Sequence, residues 1–282
     1  MNIIKCLKIN YQKNFRGFAS VINQLVLNCI MVEKKQIEPF YIIWTSPLYQ
    51  DKEDYNLFDK IIYQPYYSPL SINGKKIILE EEKFITGIIT PKKNGILYLP
   101  AIRDRKYISS ILRKKIIFKP YLYKQVDKFY SKLCKKGVIG VHIRGSGHLD
   151  GGDLLFKKNV KLTNGIPLEE YTKKIDEVLA KTKIQQIILF TDNEYTINYM
   201  KNIYRDKIYF TNSKRSKGSK GEIHMNNNSN KFKLLEDICI DILLMCKVTH
   251  LIHGISNIIN FVLCYNPTIQ NYPVHSQKNM GK

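Results

Sequence analysis

The sequence predicts an α/β protein of two compact units built on parallel sheets. Three observations support this fold class. Strand-like apolar runs alternate with helical patterns of ten or more residues, which is the order typical of βαβ crossovers. The chain has 282 residues, and a domain takes roughly 100 to 200. A hydrophobic content of 44% supplies a sizeable core. We place the division near residue 123, giving an amino-terminal unit 1–123 and a carboxy-terminal unit 124–282.

The amino-terminal unit begins with one βαβ pattern. A strand-like stretch over 2–9 leads through a glycine turn into a helical pattern over 19–35, and an apolar run follows at 39–44. Between 46 and 90 the pattern is mixed and fits neither period. The sequence therefore predicts the first crossover of this unit and leaves its later elements open.

The carboxy-terminal unit alternates regularly between helices and strands. Such alternation predicts a parallel sheet with helices on both faces, and in these sheets ligands bind outside the carboxyl ends of the strands. We therefore look for chemistry at each strand end. The predicted elements are helix 124–136, strand 138–143, helix 167–181, strand 186–191, helix 195–204, strand 207–210, helix 234–245, strand 250–255 and helix 257–264.

A polar insertion over 211–233 interrupts this alternation. It contains the low-complexity run Ser-Lys-Arg-Ser-Lys-Gly-Ser-Lys-Gly and is longer than most connections in compact domains. We predict a plain exposed loop. A lid near a ligand is the alternative.

The charge balance is strongly basic. Lys and Arg number 45 against 24 Asp and Glu, a net charge of +21. This excess suits a polyanion, an acidic membrane surface or a phosphate-bearing substrate, and it does not choose among them. A nucleic-acid-binding protein is one hypothesis, but the basic residues are dispersed and accompany no zinc spacing or repeated aromatic platform. We therefore expect no nucleic acid as a partner. Peripheral contact with an anionic membrane is a further hypothesis.

The cysteines and the amino terminus predict the compartment. The six cysteines are scattered without a C-x-x-C pair, and four lie in apolar stretches, so we predict reduced core residues. The first ten residues carry no apolar run long enough for a secretory signal, and no window approaches the 18 or so apolar residues of a membrane span. We expect a cytoplasmic protein.

The strand predicted at 138–143 ends in polar residues. His142 and Arg144 share one side of the strand, and Gly145 opens the loop that follows. An arginine at a strand end beside such a loop suits a diphosphate, because its guanidinium donates bidentate hydrogen bonds to phosphate oxygens. The alternative is an arginine in a surface salt bridge and a histidine satisfied within the sheet.

Two further strand ends carry polar groups. Thr191 and Asp192 place a hydroxyl and a carboxylate after one strand, and either could instead cap the next helix. Ser256 and Asn257 follow another strand at the start of an apolar helix, whose backbone N–H groups attract anions. A simple helix cap would also explain Ser256.

Together these motifs resemble the fucosyltransferase superfamily, which includes a bacterial nodulation fucosyltransferase, the core α1,6-fucosyltransferase and the protein O-fucosyltransferases. The similarity covers about residues 138–267. Weaker similarity lies in the first glycine turn, in Trp44 and in the aromatic segment 55–58. The matching segments are His142-Ile-Arg144-Gly, Phe190-Thr-Asp192-Asn, Asp237-Ile-Cys-Ile-Asp241-Ile-Leu-Leu-Met-Cys and His250-Leu-Ile-His-Gly254-Ile-Ser256-Asn257.

The resemblance implies a GT-B-like fold, with two Rossmann-like domains facing across a cleft, and a GDP-sugar donor, most simply GDP-fucose. It implies that Arg144 contacts the β-phosphate, that His142 positions the loop, and that Ser256 and Asn257 hold the diphosphate. Many relatives carry a second basic residue where this chain has Gly145. The implied donor-binding residues are His142, Arg144, Gly145, Tyr171, Asp192, Asp241, Ser256 and Asn257.

The implied reaction is inverting sugar transfer by direct displacement to a hydroxyl of a glycan or glycoconjugate. The catalytic residues are then Arg144, which meets charge on the leaving diphosphate, and a general base at Asp150 or Asp153. This mechanism requires no metal and no cofactor beyond the GDP-sugar co-substrate. The rival enzyme is a single-domain, metal-dependent glycosyltransferase that uses Asp192 and Glu194.

Overall fold

The structure is a computed structural model that describes residues 3–11, 17–34, 40–50, 55–63, 76–81, 92–93, 96–97, 102–133, 137–144, 166–216, 230–254 and 256–274. Its strands are β1 (Ile3–Tyr11), β2 (Phe40–Trp44), β3 (Ile62–Tyr63), β4 (Lys76–Glu81), β5 (Lys92–Lys93), β6 (Ile96–Leu97), β7 (Ile117–Phe118), β8 (Ile139–His142), β9 (Ile187–Phe190), β10 (Ile208–Tyr209), β11 (His250–His253) and β12 (Gln270–Pro273). Its α-helices are α1 (Phe18–Lys34), α2 (Leu57–Ile61), α3 (Ile102–Lys115), α4 (Pro120–Tyr130), α5 (Leu168–Thr182), α6 (Glu194–Tyr204), α7 (Lys231–Met245) and α8 (Asn257–Tyr265).

The amino-terminal half forms a parallel sheet in the order β2-β1-β4. The helix α1 connects β1 to β2, as the sequence predicts. Phe18, Val21, Ile22, Leu25 and Cys29 of this helix are fully buried, at the spacing of one helical face. This apolar stripe packs α1 onto the core.

Trp44 ends β2 at the centre of an aromatic cluster. Its ring lies 5.4 Å from that of Phe18, 5.5 Å from Tyr49 and 5.2 Å from Phe58, between centroids. The Tyr49 hydroxyl accepts a hydrogen bond of 3.0 Å from the Phe18 amide at the start of α1. The cluster therefore joins the ends of β2, α1 and α2, and Trp44 has no exposed surface.

The carboxy-terminal half forms a five-stranded parallel sheet in the order β10-β9-β8-β11-β12. The three central strands are buried on both faces, which is typical of parallel sheets covered by helices. Alternate residues of β9 point to opposite faces: Ile187 and Leu189 join the cluster that includes α5 and α6, whereas Ile188 and Phe190 join the cluster that includes α7 and α8. The predicted α/β class with parallel sheets is confirmed.

Helices of the two halves meet in one continuous apolar cluster. It runs from α1 and Trp44 through α3 to α7 and α8. Hydrogen bonds reinforce the contact, because Ser109 Oγ and Arg113 Nε of α3 donate to the Tyr265 carbonyl at 2.9 and 3.3 Å. The division predicted near residue 123 falls within α4, and it stays a prediction.

Of the four cysteine side chains that the structure describes, three are buried as the predicted core role requires, and Cys246 is half-buried. Cys29, Cys239, Cys246 and Cys264 are free thiols, and burial raises the pKa of Cys29 to about 12 and that of Cys264 to about 11. These thiols therefore behave as small apolar groups. No helix within the described ranges combines the length and the apolar character that a bilayer crossing needs.

Candidate functional site

Three polar strand ends lie side by side at one edge of the carboxy-terminal sheet. The central strand β8 pairs with β9 and β11, and His142 lies in register with both Phe190 and His253. The residues that follow these three strands therefore emerge at the same carboxyl edge, where ligands of parallel sheets bind. This arrangement defines the candidate site.

The end of β8 supplies the central residues of the site. His142 is 8% exposed, and the Ile143 amide donates a 3.0 Å hydrogen bond to the Phe190 carbonyl, which extends the pairing beyond the strand. Arg144 comes next and is half-buried. Gly145, Asp150 and Asp153 lie outside the described residues, and their roles stay predictions.

The residues after β9 include the N-cap of the next helix. Asn193, and not Thr191 or Asp192, is the N-cap of α6, because its side chain accepts a 3.2 Å hydrogen bond from the Thr196 amide. The alternative in which Thr191 or Asp192 caps this helix is therefore wrong. Asp192 is exposed, and Glu194 is exposed in the first turn of α6.

The first residues of the polar insertion are built onto this strand end. The Ser216 amide donates to the Asp192 carbonyl at 2.8 Å, and the Glu194 amide donates to the Ser216 carbonyl at 3.0 Å. Arg215 Nε also donates to the Thr191 carbonyl at 3.2 Å. The prediction of a plain exposed loop is therefore wrong for residues 211–216. Residues 217–229 lie outside the described part of the chain.

Asp241 of α7 lies beside Thr211 and Arg215 at this edge of the sheet. Its Oδ1 accepts a 2.8 Å hydrogen bond from the Thr211 hydroxyl, and the guanidinium of Arg215 lies 3.5 Å from that hydroxyl. Burial raises the pKa of Asp241 from 3.8 to about 7, although the Thr211 hydrogen bond and the Arg215 charge lower it. The carboxyl therefore changes its charge near neutral pH.

The end of β11 leads into the helix α8. Ser256 occupies the N-cap position and is 7% exposed, yet its side chain makes no capping hydrogen bond. The interpretation of Ser256 as a simple cap is therefore wrong. One turn later Asn260 is buried, and its Oδ1 has no hydrogen-bond partner within the described structure. Ser256, Asn257 and Asn260 thus offer polar groups at a helix N-terminus.

Gly254 is held between two side chains at this turn. Its amide donates to the hydroxyl of Tyr171, which is buried on α5, and burial raises the pKa of that hydroxyl. The carbonyl of Gly254 faces His253 Nδ1 at 2.6 Å, so Nδ1 carries the proton, because a carbonyl only accepts. A Cβ at Gly254 would lie 2.5 Å from the Tyr171 hydroxyl. Only glycine fits here.

Acidic and sulfur side chains do not gather into a metal site within the described part of the chain, where no group of three His, Cys, Asp or Glu residues has that arrangement. Asp192 and Glu194, the pair in the metal-dependent alternative, are both exposed at the start of α6.

Comparison with known proteins shows which solved structures share this fold. No protein-family model and no curated protein sequence matches the chain. Among solved structures, NodZ α-1,6-fucosyltransferase soaked with GDP-fucose is 13% identical, with 93% of this chain and 92% of that chain aligned at a TM-score of 0.51. POFUT1 in complex with GDP is 10% identical, with 95% and 98% aligned at a TM-score of 0.52. The chain has the fold of these fucosyltransferases.

The likeness extends along nearly the whole chain. Fucosyltransferase NodZ from Bradyrhizobium aligns with 94% of it at 12% identity and a TM-score of 0.51, covering 93% of that chain. Against a POFUT1 chain in complex with GDP-fucose, this chain spans 49% of that chain's length at a TM-score of 0.42, which is too loose to support an argument. The predicted GT-B-like fold is confirmed.

Four residues of this edge were not predicted from the sequence: Thr211, Arg215, His253 and Asn260. His253 and Asn260 lie in a predicted strand and a predicted helix, but each is surrounded by apolar residues that indicate only a core position. In the sequence, each of the two is marked by its polar side chain within an apolar segment. Arg215 lies in a Ser- and Lys-rich run that gives no signal of order.

Proposed function

We propose that this chain is an inverting glycosyltransferase that transfers fucose, or a related sugar, from a GDP-sugar to a hydroxyl of a glycan or glycoconjugate. The observation that carries the proposal is the meeting of three neighbouring strand ends at one edge. The edge presents a guanidinium at Arg144, a half-buried carboxyl at Asp241, and the N-terminus of α8 with the non-capping Ser256. These are the groups that a nucleoside diphosphate needs.

The donor diphosphate is assigned to Arg144, Ser256 and Asn257. Arginine matches phosphate oxygens bidentately, and the amides at a helix N-terminus carry partial positive charge. The similar NodZ structure was soaked with GDP-fucose and the similar POFUT1 structure is a complex with GDP, which supports a GDP-sugar as the donor. Asp192 and Asp241 then shape the nucleotide pocket, His142 positions the loop after β8, and Tyr171 orders the turn at Gly254.

The reaction is a direct displacement at the anomeric carbon. An acceptor hydroxyl attacks that carbon, the bond to the diphosphate oxygen breaks on the opposite face, and the hydroxyl proton passes to Asp150 or Asp153. Arg144 and the α8 N-terminus stabilise the charge that grows on the diphosphate, and each such donor is typically worth about 3 kcal/mol. The base contributes about two to four orders of magnitude.

Thermal stability in the presence of nucleotides tests the donor assignment. GDP and GDP-fucose are expected to raise the melting temperature, UDP is not, and Arg144→Ala is expected to abolish the rise. Lys207→Ala is the matched control, because Lys207 is exposed beside β10 at the opposite, amino edge of the sheet. Indifference of the wild-type protein to every nucleotide would overturn the proposal.

Metal independence follows from this assignment, since Arg144 and the helix N-terminus neutralise the leaving group. Transfer is expected to continue in excess EDTA. Loss of transfer in EDTA with recovery on adding Mg²⁺ or Mn²⁺ would favour the metal-dependent alternative at Asp192 and Glu194. The base is tested with Asp150→Asn and Asp153→Asn, of which one is expected to lose transfer while it keeps the GDP-induced rise in melting temperature.

The location of the enzyme is proposed from charge. With a net charge of +21, a cytoplasmic enzyme could dock peripherally on anionic lipid and so reach a lipid-linked acceptor. Flotation with vesicles that contain phosphatidylglycerol is expected to carry the protein upward, and vesicles of phosphatidylcholine are not. No flotation with either lipid would remove this part of the proposal.

A further inference from the structure

Arg215 is a fixed arginine at the ligand-binding edge. Its Nε donates to the Thr191 carbonyl at 3.2 Å, Nη1 to the Ser213 carbonyl at 2.8 Å, and Nη2 to Thr211 Oγ1 at 3.5 Å. The guanidinium carbon lies 5.3 Å from the ring centre of Phe210. These contacts hold the side chain in one position at the carboxyl end of β9.

The guanidinium keeps donors for a ligand. An arginine has five N–H groups, and the described contacts occupy one on each of the three nitrogens. Within the described part of the chain, one N–H on Nη1 and one on Nη2 therefore remain. Two N–H groups on adjacent terminal nitrogens form the fork that grips two neighbouring acceptors.

Asp241 offers the complementary group beside this fork. Thr211 bridges the two side chains, so Arg215 and Asp241 lie within electrostatic range without a direct ion pair in the described structure. Asp241 Oδ1 accepts from Thr211, and a carboxylate has a second acceptor oxygen in Oδ2. A carboxylate and a guanidinium thus lie on either side of the Thr211 hydroxyl.

Guanine carries groups that match an arginine. Its O6 and N7 are neighbouring acceptors, and an arginine fork pairs with both. We infer that Arg215 is a specificity-determining residue that binds O6 and N7 of the donor's guanine, beside the carboxyl of Asp241 in the nucleotide pocket. This inference rests on the proposed function, because it assigns the base of the same GDP-sugar. It also gives the start of the insertion a role in donor choice.

Nucleotide analogues test this assignment directly. 7-Deaza-GDP lacks only the N7 acceptor, and its dissociation constant is compared with that of GDP by calorimetry on the full chain. A bidentate arginine contact discriminates by about 1–3 kcal/mol, so losing one of its two bonds is expected to weaken wild-type binding by about two- to tenfold. In Arg215→Ala and Arg215→Lys the two nucleotides are expected to bind alike, because neither variant has the fork.

A neighbouring lysine provides the control. Lys214→Ala removes the same charge at an exposed position and is expected to keep the wild-type ratio of the two dissociation constants. Equal binding of GDP and 7-deaza-GDP by the wild-type protein would overturn the inference. So would an Arg215 variant that weakens both nucleotides by one common factor, which is the result of a purely structural anchor. If GDP does not bind at all, the proposed function fails together with the inference. If GDP binds but 7-deaza-GDP binds equally well, only the inference fails.

Discussion

The substitution Asp241→Asn is expected to change how the unfolding free energy depends on pH. In the folded protein burial holds the pKa of Asp241 at about 7, against an ordinary value of 3.8. A carboxyl whose pKa is raised by folding contributes stability that is fully present below its unfolded pKa, and this stability is lost as the pH rises through the folded value. The asparagine variant keeps a polar group beside Thr211 and never ionises. Its stability relative to wild type should therefore increase with pH.

The size of the effect follows from the two pKa values. Between about pH 5 and pH 9 the folded carboxyl ionises, while the unfolded carboxyl is charged throughout. At about 1.4 kcal/mol per pKa unit, wild type loses at most roughly 3 kcal/mol over this range. Asp241 is half-buried, so screening by water reduces the loss, and we expect about 1–3 kcal/mol.

Urea unfolding at the two pH values measures this difference. The unfolding free energy of Asp241→Asn minus that of wild type is expected to rise from pH 5 to pH 9. Asp206→Asn makes the same charge change at an exposed residue and serves as the control. A difference that does not change with pH would refute the buried-carboxyl reasoning. In the same variant GDP binding is expected to weaken, because the amide lacks the negative charge of the carboxylate that we propose lines the nucleotide pocket.

Three other predictions follow from individual contacts. GDP affinity is expected to fall as the pH drops below about 7, approaching tenfold per unit, because protonation of Asp241 removes the acceptor; calorimetry at pH 8 and pH 5.5 that gave equal affinities would contradict this. Gly254→Ala is expected to lower the unfolding free energy by about 1–3 kcal/mol through its clash with the Tyr171 hydroxyl, and Tyr171→Phe should recover part of that loss in urea titrations. Lys115→Ala is expected to cost about 2 kcal/mol, because the buried ammonium pairs with Glu33 at 3.1 Å and joins α3 to α1; an unchanged melting temperature would count against this pairing.

Elements with an uninterrupted apolar signal were predictable from the sequence. The central strands β8, β9 and β11 are buried on both faces, so their apolar runs were predicted to within about two residues. The helix α3 was missed for the opposite reason. Its buried face includes Arg105, Ser109 and Lys115 among apolar residues, and these polar positions disguise the helical period. The edge strand β12 is largely uncovered, so its residues need no apolar pattern.

The site was predictable where it depends on topology. Carboxyl ends of parallel strands meet at one edge, so Arg144, Thr191 and Ser256 could be grouped before any contact was known. Arg215 could not be found this way, because its place depends on a bridge between Ser216 and Asn193 within a low-complexity run. A pairing of this kind depends on individual backbone hydrogen bonds, and residue type alone carries no trace of them.

The local charge at this edge differs from the charge of the whole chain. The net charge of the chain is +21. Burial lowers the pKa of Arg215, and four nearby carboxylates oppose this shift: Asp241, Asp237, Asp192 and Glu194. Acidic side chains therefore gather around Arg215, although the chain as a whole is basic. Dispersed surface charges act through water and salt, whose screening length is about 8–10 Å. Under the proposed function, the diphosphate is bound by groups in contact with it, and we propose Arg144 and the amino terminus of α8 for this role. The basic surface is left for another role, such as the proposed docking on anionic lipid.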